Sequence, residues 1–323
     1  MYDVVALGEL LIDFAPLNTD EAGYPTVKAN PGGAPGNYLA ALAKYGAKTA
    51  FIGKVGDDDF GNLLITTMKT AGVETKGICR DPKVFTTLAF VSVDEEGDRS
   101  FSFARKPGAD TCLSWEDVDK TIIENSKIFH FGTLSLTDEP AKTATVKAVE
   151  YARSLGKTVT FDPNLRLPLW DSADDAKKQI VWGLGKADIV KISDEEVAFL
   201  WGCTPGQGAE KLLGEFDVSL AMITLGEKGC IMANKNGMCL VKTPIVMPVD
   251  TTGAGDIFGG AAVSCMLKLD KDPGELTVQE IMAVAAFAVA AASLSTEKPG
   301  GIPSIPEKEA VFEIMQKNFD NML

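Results

Sequence analysis

One stretch of the sequence, residues 250–261, combines small residues with a carboxylate in an order that could do chemistry. Gly253, Ala254 and Gly255 precede an apolar helical run, so their backbone N–H groups can converge at the positive end of the helix dipole and hold an anion. Asp256 follows in the predicted first turn. A carboxylate beside such a cradle can take the proton of an alcohol while the N–H groups hold a transferring phosphoryl group. A capped helix whose aspartate only complements the dipole would show the same pattern, so both interpretations stay open at this point.

Two further groups lie earlier in the chain. Residues 30–37 are rich in glycine, which lets a ligand approach the backbone closely, and Asn37 is predicted to begin a helix. Asp13 is a carboxylate at the end of an otherwise apolar first strand, and ligands of parallel sheets bind beyond the carboxyl ends of the strands. Taken singly, an N-cap turn and an aspartate in a strand-end turn explain these groups equally well. Their order along the chain, ahead of residues 250–261, favours one shared site.

Scarce residue types narrow the chemistry. The chain has one histidine, His130, in the apolar run 128–132, which is predicted to be a buried strand. Sites built from several histidines are excluded, and a buried, hydrogen-bonded core histidine is the expected state. The six cysteines form no C-x-x-C pair, which argues against a zinc ribbon or a thioredoxin-type motif. Scattered cysteines in a chain of this length are typical of reduced thiols in the cytoplasm.

The composition is that of an ordinary globular protein with an acidic excess. Of 323 residues, 46% are apolar and 24% are charged, and 31 basic against 45 acidic residues give a net charge of −14. The pI of about 4.6 argues against binding to nucleic acid or to an anionic membrane surface. The longest apolar stretch, residues 281–294, is shorter than the roughly 20 residues that span a bilayer, and it is predicted to be a buried helix. The N-terminus enters a strand directly, without the basic start of a targeting segment.

Strand-like and helix-like segments alternate along most of the chain, which is typical of a parallel sheet with helices on both faces. The predicted strands are residues 4–14, 49–52, 128–132, 158–162, 189–192 and 220–224. The predicted helices are residues 37–45, 59–71, 138–155, 174–185, 194–201, 206–214, 255–268, 277–294 and 307–318. An irregular segment at 15–32 and a β-hairpin of 87–93 and 99–103 around a turn at 94–98 break this rhythm, and they are predicted to form a small β lid. A second hairpin is expected near 230–242.

In this order, the motifs resemble those of the ribokinase-like sugar kinases, the phosphofructokinase-B family. Residues 32–37 continuing through 53–61 are similar to the early family motif, and residues 250–261 are similar to the late one. The resemblance runs along the whole chain and implies a single α/β domain over residues 1–323. It implies a ribokinase-like three-layer sandwich with a mainly parallel central sheet and a small β-sheet lid formed by segments about 14–32 and 84–110.

Within the family the chain is most similar to fructokinases, through residues 103–110, 162–166 and 191–196. The resemblance implies that Asp256 is the catalytic base and that the anion hole is formed by Gly253, Ala254 and Gly255. The residues implied to bind the substrate are Asp13, Gly33, Asn37, Arg105 and Arg166. The two arginines, one on the lid and one at a strand end, would contact sugar or phosphate. A solvated salt bridge is the plain alternative for each of them.

The resemblance also implies the cofactors ATP and Mg²⁺. ATP would lie near Lys191, Glu196 and a loop that contains Thr224, Gly226 and Gly229. Many relatives carry Asn-x-x-Glu where this chain has Ser193 and Glu196, so the glutamate is the better candidate for a water-mediated contact with Mg²⁺. A monovalent cation such as K⁺ would be held by Asp250, Thr252, Gly300 and Ser304.

The expected function is that of a cytoplasmic ATP-dependent sugar kinase, with fructose as the first choice of acceptor. The alternatives are a kinase for another acceptor, namely 2-keto-3-deoxygluconate, ribose or aminoimidazole riboside. A different class is a catalytically silent sugar-binding regulator, against which the intact run of residues 253–256 argues. The expected partners are the sugar and ATP, with no nucleic acid and no membrane, and exposed lid strands could pair two subunits into a homodimer.

Overall fold

A computed structural model describes residues 1–93 and 99–319 of the chain. Its strands are β1 Tyr2–Leu7, β2 Leu11–Thr19, β3 Pro25–Gly32, β4 Thr49–Gly56, β5 Val73–Asp81, β6 Leu88–Val93, β7 Arg99–Ala104, β8 Ser126–Gly132, β9 Thr158–Asp162, β10 Ile189–Ser193, β11 Leu220–Thr224, β12 Cys230–Asn234 and β13 Gly237–Val241. Its α-helices are α1 Ala34–Lys44, α2 Asp59–Thr70, α3 Lys120–Glu124, α4 Ala141–Ser154, α5 Ala173–Leu184, α6 Asp194–Trp201, α7 Pro205–Glu215, α8 Ala254–Leu269, α9 Val278–Ser295 and α10 Lys308–Phe319.

The large sheet contains nine strands in the order β13-β12-β11-β10-β9-β8-β1-β4-β5. The pairs from β11 to β5 are parallel, whereas the β11–β12 and β12–β13 pairs are antiparallel, as the predicted second hairpin requires. Val4 and Ala6 of β1 enter the core that contains α1, α8 and α9, while Val5 and Leu7 enter the core that contains α4 and α7. Strands buried on both faces must be apolar throughout. The predicted three-layer α/β sandwich is confirmed.

A second sheet contains four strands in the order β3-β2-β6-β7. Strand β2 pairs antiparallel with β3 and parallel with β6, and β6 pairs antiparallel with β7. The predicted hairpin of residues 87–93 and 99–103 is confirmed as β6 and β7, whereas its predicted turn at 94–98 lies outside the described residues. That this small sheet acts as a lid, and that residues 1–323 form one domain, stay predictions.

The predicted first strand, residues 4–14, is wrong, because it is two strands in two different sheets. The chain leaves β1 at Gly8, where a Cβ would lie 2.6 Å from Pro35 Cγ, and then enters β2. Asp13 therefore lies within the small sheet and not at the end of a strand of the large sheet. Both segments are apolar, so hydrophobicity alone does not reveal the corner between them.

Two other elements, one helix and one strand, differ from the prediction. Helix α1 begins at Ala34 and not at Asn37, because the first helical turn tolerates Pro35, whose missing N–H would have no acceptor there. Strand β5 was not predicted at all. Its burial alternates along an edge of the large sheet, and Gly77 interrupts the β-branched pattern that usually indicates a strand.

His130 is, as predicted, a buried and hydrogen-bonded core residue. Its ring stacks on Tyr38 with 3.9 Å between the ring centroids, and its Nδ1 lies 2.9 Å from Thr160 Oγ1. Burial, with a smaller contribution from the Lys191 charge, lowers the pKa of His130 to about 3. The imidazole is therefore neutral near pH 7 and serves packing and hydrogen bonding.

Within the described residues, helix α9 (Val278–Ser295) is long and apolar enough by length and composition to cross a membrane. It is enclosed by other elements, since it packs against α8, α10, β12 and β13. Its buried side chains include Ile281, Phe287 and Val289. An apolar helix surrounded by the rest of the fold is a core helix, which agrees with the buried helix predicted at residues 281–294.

The close contact between α8 and α1 gives a prediction about stability. A Cβ on Gly260 would lie 2.6 Å from Tyr38 O and 2.8 Å from Ala41 Cβ. Gly260→Ala should therefore lower the free energy of unfolding by about 1–3 kcal/mol, as over-packed cores do. The control is Gly214→Ala in α7, where a Cβ meets nothing within 4 Å and should stabilise by about 0.4–1 kcal/mol. Urea unfolding followed by circular dichroism measures both, and an unchanged Gly260→Ala variant would contradict the prediction.

Candidate active site

The loop before α8 places the predicted base at a helix N-terminus. Gly253 caps the helix in the left-handed conformation, with φ of 76°, and Ala254 begins it. Ala254 N donates to Thr251 O at 3.2 Å, so the preceding turn already uses this amide. The amides of Gly255 and Asp256 belong to the first helical turn, which offers them no intrahelical acceptor. The predicted anion-binding role of residues 253–255 stays a prediction, and on this geometry Ala254 contributes least to it.

Asn37 of α1 lies against Asp256. Its Nδ2 donates to Asp256 Oδ2 at 2.9 Å, while its buried Oδ1 has no hydrogen-bond partner among the described residues. Glycines make room for this amide, since a Cβ on Gly301 would lie 2.5 Å from Asn37 Oδ1 and a Cβ on Gly253 would lie 3.2 Å from Asn37 Nδ2. A buried acceptor without a donor costs free energy. The structure therefore presents a position that suits a hydroxyl group of a ligand.

Asp13 of β2 brings a second carboxylate to the same place. Burial raises the pKa of Asp13 to about 6; the charge of Arg166 opposes this rise, and the charges of Asp256 and Asp250 add to it. These interactions place Asp13, Arg166 and Asp256 around one site. A side chain at Gly32 would collide with Asp13 Oδ2, so glycine is required where β3 passes this carboxylate.

A buried ion pair lies against the first turn of α8. Lys191 Nζ donates to Asp162 Oδ2 at 2.9 Å, and the two side chains are 11% and 8% exposed. A Cβ on Gly255 would lie only 2.9 Å from Lys191 Nζ. Burial opposes a charge on Lys191, but Asp162, Glu196 and Asp256 together raise the pKa of Lys191. Burial raises the pKa of Asp162, and the Lys191 charge opposes this.

The electrostatics of Asp256 suit a proton acceptor. Burial raises the pKa of Asp256, while the Lys191 charge, the hydrogen bond from Asn37 and the Arg166 charge act in the opposite direction. A general base has to be ionised at the working pH and still basic enough to accept a proton. The two cations oppose the effect of burial on the Asp256 carboxylate, and its role as the base stays a prediction.

Glu196, predicted to contact Mg²⁺ through water, is oriented by the backbone. Its Oε1 accepts from Leu165 N and its Oε2 accepts from Ser193 N, both at 2.8 Å. Ser193 Oγ in turn accepts from Glu196 N at 3.1 Å, which completes a capping box at the start of α6. A carboxylate has about four lone-pair positions, so acceptor capacity for a water molecule remains. The metal-related role stays a prediction.

The loop predicted to contact ATP follows β11. It contains Thr224, Gly226 and Gly229, and the two glycines have positive φ values of 57° and 104°. Leu225 N donates to Gly229 O at 2.8 Å and closes the loop. Since β11 is the parallel neighbour of β10, this loop lies at the same edge of the sheet as Lys191. Its contact with a nucleotide stays a prediction.

Most of the residues predicted to hold a monovalent cation are bonded to one another. Asp250 Oδ1 accepts from Thr252 N at 3.0 Å and from Thr252 Oγ1 at 2.7 Å, and Asp250 Oδ2 accepts from Gly300 N at 2.8 Å. Ser304, 1% exposed, donates its hydroxyl to Gly301 O at 2.8 Å. These bonds hold together an oxygen-rich loop pair of the kind that hard cations prefer. The cation itself stays a prediction.

Arg105 differs from one of its two predicted states. Its side chain is 2% exposed and its Nη2 lies 2.7 Å from Asp110 Oδ2, so the solvated salt bridge is wrong. The other N–H groups point to Asp110 through Nε, to Thr137 Oγ1, to Leu134 O and towards Asp138. The protein thus provides a partner for every N–H group of the guanidinium, and the predicted contact of Arg105 with sugar stays a prediction. The charge of Arg166 acts on Asp13 and Asp256, and its predicted contact with sugar or phosphate also stays a prediction.

Sequence reasoning assigned no role to Glu9 or Asp162. Glu9 is 2% exposed and its Oε1 accepts from Ala34 N at 3.0 Å, at the start of α1. Burial raises the pKa of Glu9 to about 7, with the Arg105 charge opposing the rise. The available signal was the position of each carboxylate, one inside the apolar run 4–14 and one at the carboxyl end of an apolar strand. A charged residue in such a place needs a buried partner.

Comparison with known proteins agrees with this geometry. The model of the pfkB family of carbohydrate kinases matches residues 1–308. The chain is 39% identical over 320 residues to probable fructokinase-4 of Arabidopsis thaliana, which covers 98% of this chain and 97% of that protein. A fructokinase from Xylella fastidiosa, solved with bound ATP, superimposes with a TM-score of 0.88 at 29% identity and covers 98% of this chain and 99% of the other.

A second solved structure contains a bound sugar and a bound nucleotide. It is a double mutant of the fructokinase from Vibrio cholerae O395, bound to fructose, ADP and a potassium ion. Its TM-score is 0.86 at 30% identity, with 97% of this chain and 98% of that chain covered. Fold and site define a phosphotransferase that acts on an alcohol. The chain belongs to the pfkB family of carbohydrate kinases.

The buried ion pair gives a prediction about stability and pH. Lys191→Met removes the ammonium group that faces Asp162 and Asp256, and it should lower the free energy of unfolding by about 3–5 kcal/mol. The loss should be larger at pH 8 than at pH 6. Without the cation, the buried carboxylates take up protons in the folded state, and this uptake becomes harder as the pH rises.

Urea unfolding at the two pH values measures the effect. The control is Lys211→Met, because the ion pair between Lys211 and Glu215 is exposed to solvent and its loss should change the free energy of unfolding little at either pH. An equal loss for Lys191→Met at both pH values would mean that the side chain acts through packing alone.

Proposed function

We propose that this carbohydrate kinase is an ATP-dependent fructokinase that phosphorylates the primary hydroxyl group of D-fructose. The observation that carries the proposal is the Asp256 carboxylate at the start of α8, hydrogen-bonded to Asn37 and facing Arg166. Two comparisons support the choice of sugar. The Arabidopsis relative is named a probable fructokinase, and the Vibrio fructokinase was solved with fructose and ADP.

In the proposed reaction, Asp256 is the general base. The hydroxyl oxygen of the sugar attacks the γ-phosphorus of ATP and its proton passes to the Asp256 carboxylate. An oxygen–phosphorus bond forms to the sugar while the bond to the β,γ-bridging oxygen breaks, so ADP leaves with that electron pair. The first-turn amides of α8, Lys191 and Arg166 offset the charge on the transferring group. Asp13 and Asn37 hold other sugar hydroxyl groups.

The residues present fit ATP with a magnesium ion bound to its phosphates. Over residues 1–93 and 99–319, no group of three His, Cys, Asp or Glu side chains could hold a metal ion by itself. Mg²⁺ usually binds one or two carboxylates together with substrate phosphates, so a site completed by the nucleotide agrees with this donor set. Glu196 would act through a water molecule, and the loop of Thr224, Gly226 and Gly229 would approach the nucleotide. The linked residues Asp250, Thr252 and Gly300, together with Ser304, would hold K⁺, an ion present in the Vibrio structure.

The small sheet is proposed to close over the sugar and to limit ATP hydrolysis by excluding water. Its outer strands, β3 and β7, leave edges that could pair two copies of the chain into a homodimer. All six cysteines are free, which supports a cytoplasmic location.

The acceptor can be tested with a panel of sugars. D-Fructose should give the highest kcat/KM among fructose, ribose, 2-keto-3-deoxygluconate and aminoimidazole riboside, measured by ADP release. The reason is that Asp13, Asn37 and Arg166 offer polar groups to several hydroxyls near the base. A tenfold or greater preference for another acceptor, about 1.4 kcal/mol in transition-state binding, would overturn the choice of fructose. No turnover of any sugar would favour the silent regulator.

The base can be tested with Asp256→Asn, which keeps the size of the side chain but cannot accept the proton. General-base catalysis contributes about 10²–10⁴-fold, so kcat should fall by at least about a hundredfold. Fructose and ATP should still bind, because Asp13 and the backbone amides remain. Calorimetry and kinetics on one preparation give both results. A variant that keeps kcat within tenfold would leave Asp256 as a helix-capping residue only.

A further inference from the structure

Within the described residues, the chain connections between the small sheet and the rest of the protein, here called the body, all lie at one end of the small sheet. Strand β2 begins at Leu11 opposite Gly32, the last residue of β3, and β6 begins at Leu88 opposite Ala104, the last residue of β7. Ile12 N donates to Thr87 O at 3.1 Å, and this hydrogen bond joins the start of β2 to the segment before β6. We call residues 8–11, 32–34, 85–88 and 104–110 the junction.

The junction contains charged and polar side chains that are almost completely buried. Arg105 is 3% exposed, Asp110 is 5% exposed and Thr87 is 1% exposed. One oxygen of Asp110 accepts from Arg105, and the other is bonded to Thr87 Oγ1. Gly108 is required here, because a Cβ would collide with the Thr87 hydroxyl. The carboxylate of Asp110 thus links the segment before β6 to the segment after β7.

The same network reaches the body of the protein. Arg105 Nη1 donates to Thr137 Oγ1 and Arg105 Nη2 donates to Leu134 O, both at 2.8 Å, in the segment that follows β8. The Arg105 charge also acts on Glu9, whose Oε1 accepts from Ala34 N at 3.0 Å. Glu9 precedes β2, and Ala34 follows β3. The four chain connections between the small sheet and the body therefore all lie beside one buried cluster of charged side chains.

This cluster bears on the site because Asp13 belongs to the small sheet. Asp13 lies two residues beyond Leu11 in β2 and pairs with Asn30 of β3 and with Ala89 of β6. Asp256 belongs to α8 in the body of the protein. The distance between the two carboxylates therefore depends on how the junction holds the sheet.

We propose that Arg105 and Asp110 are positioning residues: their buried ion pair, together with Thr87, holds the small sheet so that Asp13 faces Asp256. Arg105 then affects sugar binding through the placement of Asp13 and not by touching the sugar. The proposal rests on the proposed sugar kinase activity.

Arg105 could instead affect sugar binding by direct contact, because a cleft lies next to it. A cleft of about 240 Å³ lies against it, lined also by Phe103, Lys106, Asp138 and Leu169. If the sugar entered this cleft, the guanidinium would contact it directly, and Asp110 would matter much less than Arg105. The two geometries therefore differ in what they require of Asp110 and Thr87.

The experiment compares Arg105→Met, Asp110→Asn, the double variant and Thr87→Val by steady-state kinetics with fructose and ATP. If the ion pair positions the small sheet, Arg105→Met and Asp110→Asn should each raise KM for fructose by about tenfold or more, while KM for ATP changes less than about threefold. The double variant should be no worse than the more severe single variant, because both remove one interaction. Thr87→Val should raise KM for fructose by a smaller factor, about threefold, since it removes one hydrogen bond.

Controls separate positioning from general damage. Arg153→Met makes the same change at an arginine that is bonded to Lys186 O, at the opposite end of the large sheet from the site, and it should leave both KM values unchanged. Circular dichroism confirms the fold of every variant. If Arg105→Met fails to fold, Asp110→Asn and Thr87→Val decide, since both preserve shape.

Several results would overturn the proposal. One is a raised KM for fructose in Arg105→Met with wild-type values in Asp110→Asn and Thr87→Val, which means direct contact. Additive effects in the double variant, or unchanged KM for fructose in every variant, are equally decisive against it. A wild-type enzyme that prefers another sugar would contradict the fructokinase assignment alone, and the same comparison with that sugar would still test the junction.

Discussion

Charge balance in a partly buried site is the constraint on which the rest of this structure depends. The site gathers the carboxylates Asp13, Asp162, Glu196, Asp250 and Asp256. Two cations, Lys191 and Arg166, lie among them. Buried carboxylates become protonated unless cations or N–H groups stabilise the charge. A parallel sheet supplies these groups at one edge, because strand ends and the positive ends of helices meet there.

The small residues around α8 serve packing as much as ligand binding. Gly255 leaves room for Lys191, Gly253 leaves room for Asn37, and Gly260 allows α1 to approach within contact of the helix. A side chain at any of these places would push the base away from the groups that set its charge. The glycines therefore allow the close packing that brings Asp256 and its partners together, and the proposed anion cradle depends on the same packing.

Much of the order of strands and helices could be predicted because it depends on local patterns, whereas Arg166 and Lys191 were assigned to the site only through the family resemblance. Apolar runs indicate the central strands, and small residues before a helix indicate its N-terminus. The corner at Gly8 could not be predicted, because the residues on both sides of it, 4–7 and 10–12, are apolar. Neither could the state of Arg105: a sequence shows an arginine near an aspartate, but whether the pair is buried depends on contacts with Leu134 and Thr137, which are distant in the chain.

The division of the site between two sheets limits what the enzyme can phosphorylate. Asp256 belongs to the body and Asp13 belongs to the small sheet, so the proposed mechanism requires an acceptor that places one hydroxyl at Asp256 and others within reach of Asp13. A ligand that makes only one of these contacts gains little from the placement of the sheet, since proximity contributes only when the reacting atoms are held in line. A transferring phosphoryl group adds negative charge to a site already rich in carboxylates. In the proposed mechanism its entry requires the α8 amides, Lys191 and a cation bound to the phosphates together, which makes phosphate binding and charge balance a single physical requirement.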